Sequence, residues 1–134
     1  NASAGRPSAG GAAGVMGFWL LLSCGDQVHD SADPCPRSPP LTYSNFGEGI
    51  LNKHCIGCHS SLLPEDRREG APLGVDLDSY ASVLVWADRI HARVIDSEDM
   101  PPGGGLVGEE LAMIQEWLVC QVAQDREQLE TWGE

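Results

Sequence analysis

Residues 54–60 read HCIGCHS. Cys55 and Cys58 stand three apart, and His59 follows the second cysteine directly. Sulfur and imidazole at this spacing serve three kinds of chemistry: covalent attachment of a haem, half of a zinc site, or a redox-active thiol pair. Each demands different company elsewhere in the chain. A structural zinc needs a second pair of ligands at similar spacing, whereas Cys35 and Cys120 are isolated and His29, His54 and His91 are scattered. A thioredoxin-like pair wants a βαβ surround, and no run of alternating strands is visible. On a helix, positions i, i+3 and i+4 share one face. Two thioethers could then pin a porphyrin edge while the imidazole reaches under the ring to iron. The motif points to covalent haem c ahead of zinc or thiol chemistry, with His59 as an iron ligand.

A second axial ligand is expected downstream. The stretch SEDMPPGGG places Met100 in a loop, immediately before two prolines that set φ and stop helix continuation. Met113 falls in a helical pattern and Met16 in an apolar N-terminal run, so Met100 is the expected ligand. A Met/His pair raises the reduction potential relative to two histidines, and it fills both axial positions. Among the competitors, His91 lies at the edge of a helical stripe and His54, adjoining Cys55, reads as surface.

The elements that must position these residues are helical. Val83, Leu84, Ala87, Ile90 and Val94 form an apolar stripe with helical period within Ser79 to Ile95. A second helix is expected over GEELAMIQEWLVC, where Glu109 and Glu110 suit the positive helix start and Leu111, Ile114, Trp117 and Leu118 form the packing face. Sixteen glycines and nine prolines imply much irregular chain. The segment after Gln121, VAQDREQLETWGE, is charged and weakly patterned, and it is expected to fray.

Composition narrows the partners. With 134 residues, the chain has room for one small domain plus flanking segments. A net charge of −12 argues against nucleic acid, because little here could neutralise phosphates. It also disfavours docking on anionic lipid and favours a basic face on a protein partner. The opening carries one basic residue, Arg6, and no acid before Cys24; its apolar run from Val15 to Leu22 has the length of a signal-peptide core. That run is far short of the ~20 residues needed to span a bilayer. Leu21-Leu22-Ser23-Cys24 resembles a bacterial lipoprotein signal, with Cys24 lipidated. The expected organisation is a signal peptide over 1–23, a Pro-rich spacer over 24–40, a haem domain over 41–123 and a polar tail over 124–134.

With CIGCH, a single downstream Met-Pro-Pro and flanking helices, residues 41–122 resemble a small class I cytochrome c. The resemblance implies an all-α, cytochrome c-like fold, with three main helices and long loops around the haem. In that family a helix before the motif crosses the C-terminal helix at a close glycine contact. Gly47 and Leu51 would here meet Ile114 and Trp117. Leu51 stands where the family commonly has an aromatic, and Phe46 is the candidate to fill the gap. The family's ligand imidazole also donates to a carbonyl in a proline-containing loop, which places Ala71 or Pro72 in that role. Arg67, Arg68, Tyr80 and Trp86 are propionate or haem-packing candidates. Cys35 and Cys120, left over in an oxidising compartment, are expected to pair.

The function implied is that of a periplasmic, membrane-anchored one-electron carrier between a donor and an acceptor redox protein, with no catalytic site of its own. Two other classes stay open: an electron-input subunit of a larger redox enzyme, and a haem-based sensor of small ligands.

Overall fold

The computed structural model describes residues 33–132. The expected signal peptide, Cys24, Met16, His29 and the first part of the spacer lie outside the described residues. Among those described, the chain is all-α, with no strand and no helix long and apolar enough to cross a membrane.

Three helical runs carry the structure. The first opens with a π-type turn, Tyr43–Gly47, and continues as α1 (Glu48–His54). Its start is set by Thr42, whose hydroxyl accepts the Asn45 N–H while the Asn45 side chain accepts the Thr42 N–H. This reciprocal cap satisfies two donors that a helix start otherwise leaves unpaired. The second run, α2 (Tyr80–Ile90), is capped by the Ser79 hydroxyl and ends in a π-type turn, His91–Asp96. The third comprises α3 (Gly108–Trp117), a π-type turn Leu118–Val122 and α4 (Ala123–Trp132).

The helical stripes meet in one core. Val83, Ala87, Ile90 and Val94 are buried along the second run, as are Ile114, Trp117, Leu118 and Val122 along the third. At the centre the fully buried Trp117 ring lies against Gly47. A Cβ added at Gly47 would stand 2.8 Å from Trp117 Cε2, so the first and third runs approach this closely only because the residue has no side chain. The buried indole N–H donates to Gln121 Oε1 at 2.8 Å, and the same oxygen accepts the Tyr43 N–H. Leu51 is buried, and Phe46 packs edge-on to Trp117 with ring centroids 6.1 Å apart.

Two findings depart from expectation at the C-terminus. The charged segment after Gln121 is helical to Trp132 instead of frayed. Its polar residues are the reason: Asp125 accepts the Tyr80 hydroxyl, and Arg126 pairs with Asp88, which fastens α4 to α2 without an apolar stripe. Tyr80 is thereby committed to the core's edge, its ring 4.9 Å from that of Tyr43 and tilted by 33°.

Cys35 and Cys120 are joined, with Cα atoms 5.7 Å apart across 85 positions of sequence. Beside them Arg37 pairs with Glu116 at 2.9 Å. The bridge ties the proline-rich segment to the π-type turn in the middle of the third run.

Candidate functional site

A cleft of about 330 Å³ opens between the end of α1, the loop 68–77, the second helical run and the loop after it. Its volume lies at the lower end of the range for small-molecule and cofactor clefts, about 300–1,000 Å³. Cys55, Cys58, His59 and Met100 all line it. The walls between them are largely apolar, with Leu77, Trp86, Ile90 and Val94 among the residues.

The motif sits in the turn that follows α1. Cys55 is the C-terminal cap of that helix, and the Cys58 and His59 N–H groups both donate to the Cys55 carbonyl, at 3.1 and 2.9 Å. This last tight turn brings both sulfurs and the imidazole to the same cleft. Cys55 and Cys58 are not bridged. Burial, followed by the neighbouring Cys58, pushes the Cys55 thiol up to about 11. Reactive redox thiols have lowered values that expose a thiolate at neutral pH, so Cys55 has the opposite character. Among the described residues no three His, Cys, Asp or Glu side chains group as a metal would require, and a structural zinc takes four such ligands.

His59 is held from behind. Its Nδ1 lies 2.9 Å from the Val75 carbonyl, and its own carbonyl accepts the Leu77 N–H at 2.8 Å. A carbonyl can only accept, so Nδ1 carries the proton and Nε2 keeps its lone pair for a metal. The acceptor differs from the expected Ala71 or Pro72. Those two carbonyls instead receive Arg68, at 3.2 Å from Nε and 2.9 Å from Nη2.

Arg68 is the strut of this loop. It is 1% exposed, and beyond those two bonds it donates to Ser60 O at 2.6 Å and to Val75 O at 3.0 Å. Asp76 Oδ1 lies 2.8 Å from Nη2 but off the N–H directions, so that contact is Coulombic and not a hydrogen bond. Arg68 and His59 therefore share one acceptor, Val75 O. Sequence reasoning put Arg68 with Arg67 as a propionate candidate; the structure spends its guanidinium on backbone, and Arg67 is exposed and outside the cleft lining. A basic residue inside a Gly- and Pro-rich loop was the available signal.

On the opposite side the Met100 loop is fastened to the second run. The Asp99 and Met100 N–H groups donate to the Arg93 carbonyl at 3.0 and 3.3 Å, and Arg93 Nη2 pairs with Asp99 Oδ2 at 2.7 Å. Gly105, at φ +68°, lets the loop close on itself: a Cβ there would stand 2.8 Å from Glu98 O. Trp86 lines the cleft, whereas Tyr80 does not. His91 faces Asp96 at 3.4 Å, also outside the lining. His54, read from sequence as surface, is half-buried at the cleft wall with Nε2 3.1 Å from Glu110, which also holds Lys53.

The residues present fit a covalent haem in their donor set. That set is one imidazole nitrogen, one thioether and two thiols on an apolar cleft.

No family model matches the chain, and no solved structure matches it. A stretch of 75 residues is 29% identical to the V-type ATP synthase alpha chain of Chlamydia caviae, covering 52% of this chain and 13% of that protein. So short a share of a long protein assigns no family, and the functional reading rests on the cleft itself.

Proposed function

We propose that the chain is an exported monohaem c-type cytochrome that carries single electrons between two redox proteins. The observation that carries the reading is the convergence of Cys55, Cys58, His59 and Met100, which span 45 positions of sequence, on one apolar cleft. When bound, the haem would supply an iron that exchanges one electron between its ferric and ferrous forms.

The chain's own residues account for the rest. Cys55 and Cys58 would hold the group by thioether bonds, and His59 Nε2 and Met100 Sδ would be the donors to its iron. Val75 fixes the imidazole tautomer and ring direction, and Arg68 fixes Val75. Such outer partners raise ligand basicity and keep the donor in place. The largely apolar walls would limit water at the group, and a Met/His donor set would favour electron transfer over substrate binding. The cytochrome c-like arrangement, export to the periplasm and a lipid anchor at Cys24 belong to the same reading. The Cys35–Cys120 bridge supports an oxidising compartment. The acidic surface favours a partner with a basic face.

The test is the ferric protein, produced in a host with c-type maturation. Haem should survive acid–acetone extraction, and a weak sulfur-to-iron band should appear in the near infrared. Met100→Ala should remove that band and lower the potential. Extraction of the haem from wild type would refute covalent attachment. Binding of carbon monoxide by the ferrous protein at neutral pH would favour the sensor.

A further inference from the structure

The face formed by α2 and α4 carries apolar side chains that no part of the described fold covers. Leu84, Asp125, Gln128, Leu129 and Trp132 line a shallow groove of about 310 Å³ between the two helices. Leu129 is 60% exposed and Trp132 87%, and Val85, next to Leu84 on α2, is 73% exposed. On α4, positions 125, 128, 129 and 132 share one face, so the groove runs along that helix. None of its lining residues lines the cleft that holds Cys55 and Met100.

Polar contacts build this groove and leave its charge one-sided. The Tyr80–Asp125 hydrogen bond and the Arg126–Asp88 pair hold α4 on α2 with Leu129 and Trp132 turned outward. Arg126 is the one cation of α4, and Asp88 takes it with both carboxylate oxygens. Glu127 and Glu130, which flank Leu129 in sequence, are exposed and hold no ion pair among the described residues. An exposed tryptophan and leucine framed by carboxylates are best covered by a surface that is apolar at its centre and cationic at its rim. Anionic lipid would meet the same glutamates, and a second copy would set acid against acid.

We propose that the α2–α4 groove docks a cationic amphipathic helix of another protein, with Trp132 and Leu129 as apolar anchors and Glu127 and Glu130 facing its lysines or arginines. A groove between two helices receives a third through side chains at i, i+3 and i+4, the spacing that lines it here. Tryptophan is among the side chains that contribute most at such contacts. A helix seated in the groove touches none of the residues that line the cleft, so this partner is distinct from one that exchanges electrons there. The inference goes beyond the haem reading and stands on the groove alone.

The probe is a synthetic helix of about five turns with a leucine face framed by lysines. A twin carries glutamates in place of the lysines. Each is titrated into the full chain and followed by calorimetry and by backbone amide shifts. The lysine helix should bind, with shifts centred on α2 and α4 and an affinity that falls as salt rises, and the twin should not. Trp132→Ser and Leu129→Ser should each weaken binding by about tenfold. Glu127→Lys with Glu130→Lys should weaken the lysine helix similarly and admit the twin. Leu62→Ser and Glu65→Lys, exposed and outside the groove, should change neither. An affinity unmoved by Trp132→Ser, shifts centred on another face, or equal binding of the twin overturns the proposal. So does self-association, or binding to phosphatidylglycerol vesicles, that Trp132→Ser abolishes, because the groove then belongs to a second copy or to lipid. Each of these results leaves the haem reading standing, and a chain that carries no covalent haem leaves the groove reading standing.

Discussion

Arg68→Met removes the buried guanidinium and keeps most of its stem. In the folded chain that group makes four hydrogen bonds to the carbonyls of Ser60, Ala71, Pro72 and Val75 and a close contact with Asp76. Hydrogen bonds to charged groups are each worth about 1.5–3 kcal/mol, a gross sum of about 6–12 kcal/mol. Burying the guanidinium opposes that sum, and carbonyls at the loop surface regain water once it is gone. Breaking one side of a buried ion pair typically costs about 3–5 kcal/mol, and about 4 kcal/mol is expected here. With a urea slope of about 1.5 kcal/mol per molar, the midpoint should fall by about 2.5 M. Arg68→Lys keeps the charge but not the planar fork, so it should lose about half as much. Arg67→Ala, exposed and one residue away, should stay within about 0.5 kcal/mol of wild type. The assay is urea unfolding followed by tryptophan fluorescence at fixed protein concentration. A midpoint shift below about 0.5 M for Arg68→Met, at an unchanged slope, would refute the strut assignment.

Two further outcomes follow from the same contacts. Replacing Cys35 and Cys120 with serine opens a loop of 85 positions, and the chain-entropy account then predicts a loss of about 4 kcal/mol, checked by thermal unfolding with reductant as the parallel condition. The Asp78 carboxyl is held below the usual carboxylate range, chiefly by the Ser61 hydroxyl and N–H and then by the Ser60 hydroxyl. Its contribution is therefore present above the unfolded value of about 3.9 and lost as pH falls through the lower folded value. Asp78→Asn should flatten stability between pH 5 and about pH 2 relative to wild type; parallel acid limbs for the two proteins would count against the assignment.

The sequence by itself determined the chemistry on offer and the helical frame. Cys55, Cys58 and His59 are fixed in spacing by the chain, and a methionine before two prolines is legible without coordinates. So are the stripes of the second and third helical runs, because helical period is a local property and the buried residues recur with it. Even Gly47 against Trp117 was reachable, through a resemblance that names a close glycine crossing.

What only the tertiary structure decided were contacts made by backbone carbonyls and by long polar side chains. Nothing in composition says that Val75, and not Ala71 or Pro72, accepts from His59, since a carbonyl's direction depends on the path of the whole loop. That path is set by Arg68, whose five donors in a rigid fork can gather carbonyls spread over many positions. The docking of α4 by Tyr80–Asp125 and Asp88–Arg126 was likewise invisible, because polar residues at a helix surface carry no period that announces a partner. Arg93 shows the same limit most plainly. In sequence it is one more charge on a helix; in the fold it carries the Met100 loop on its carbonyl and leaves a buried N–H facing no acceptor of its own chain among the described residues. Spacing along a chain tells which atoms exist, and only packing tells which of them are left unpaired.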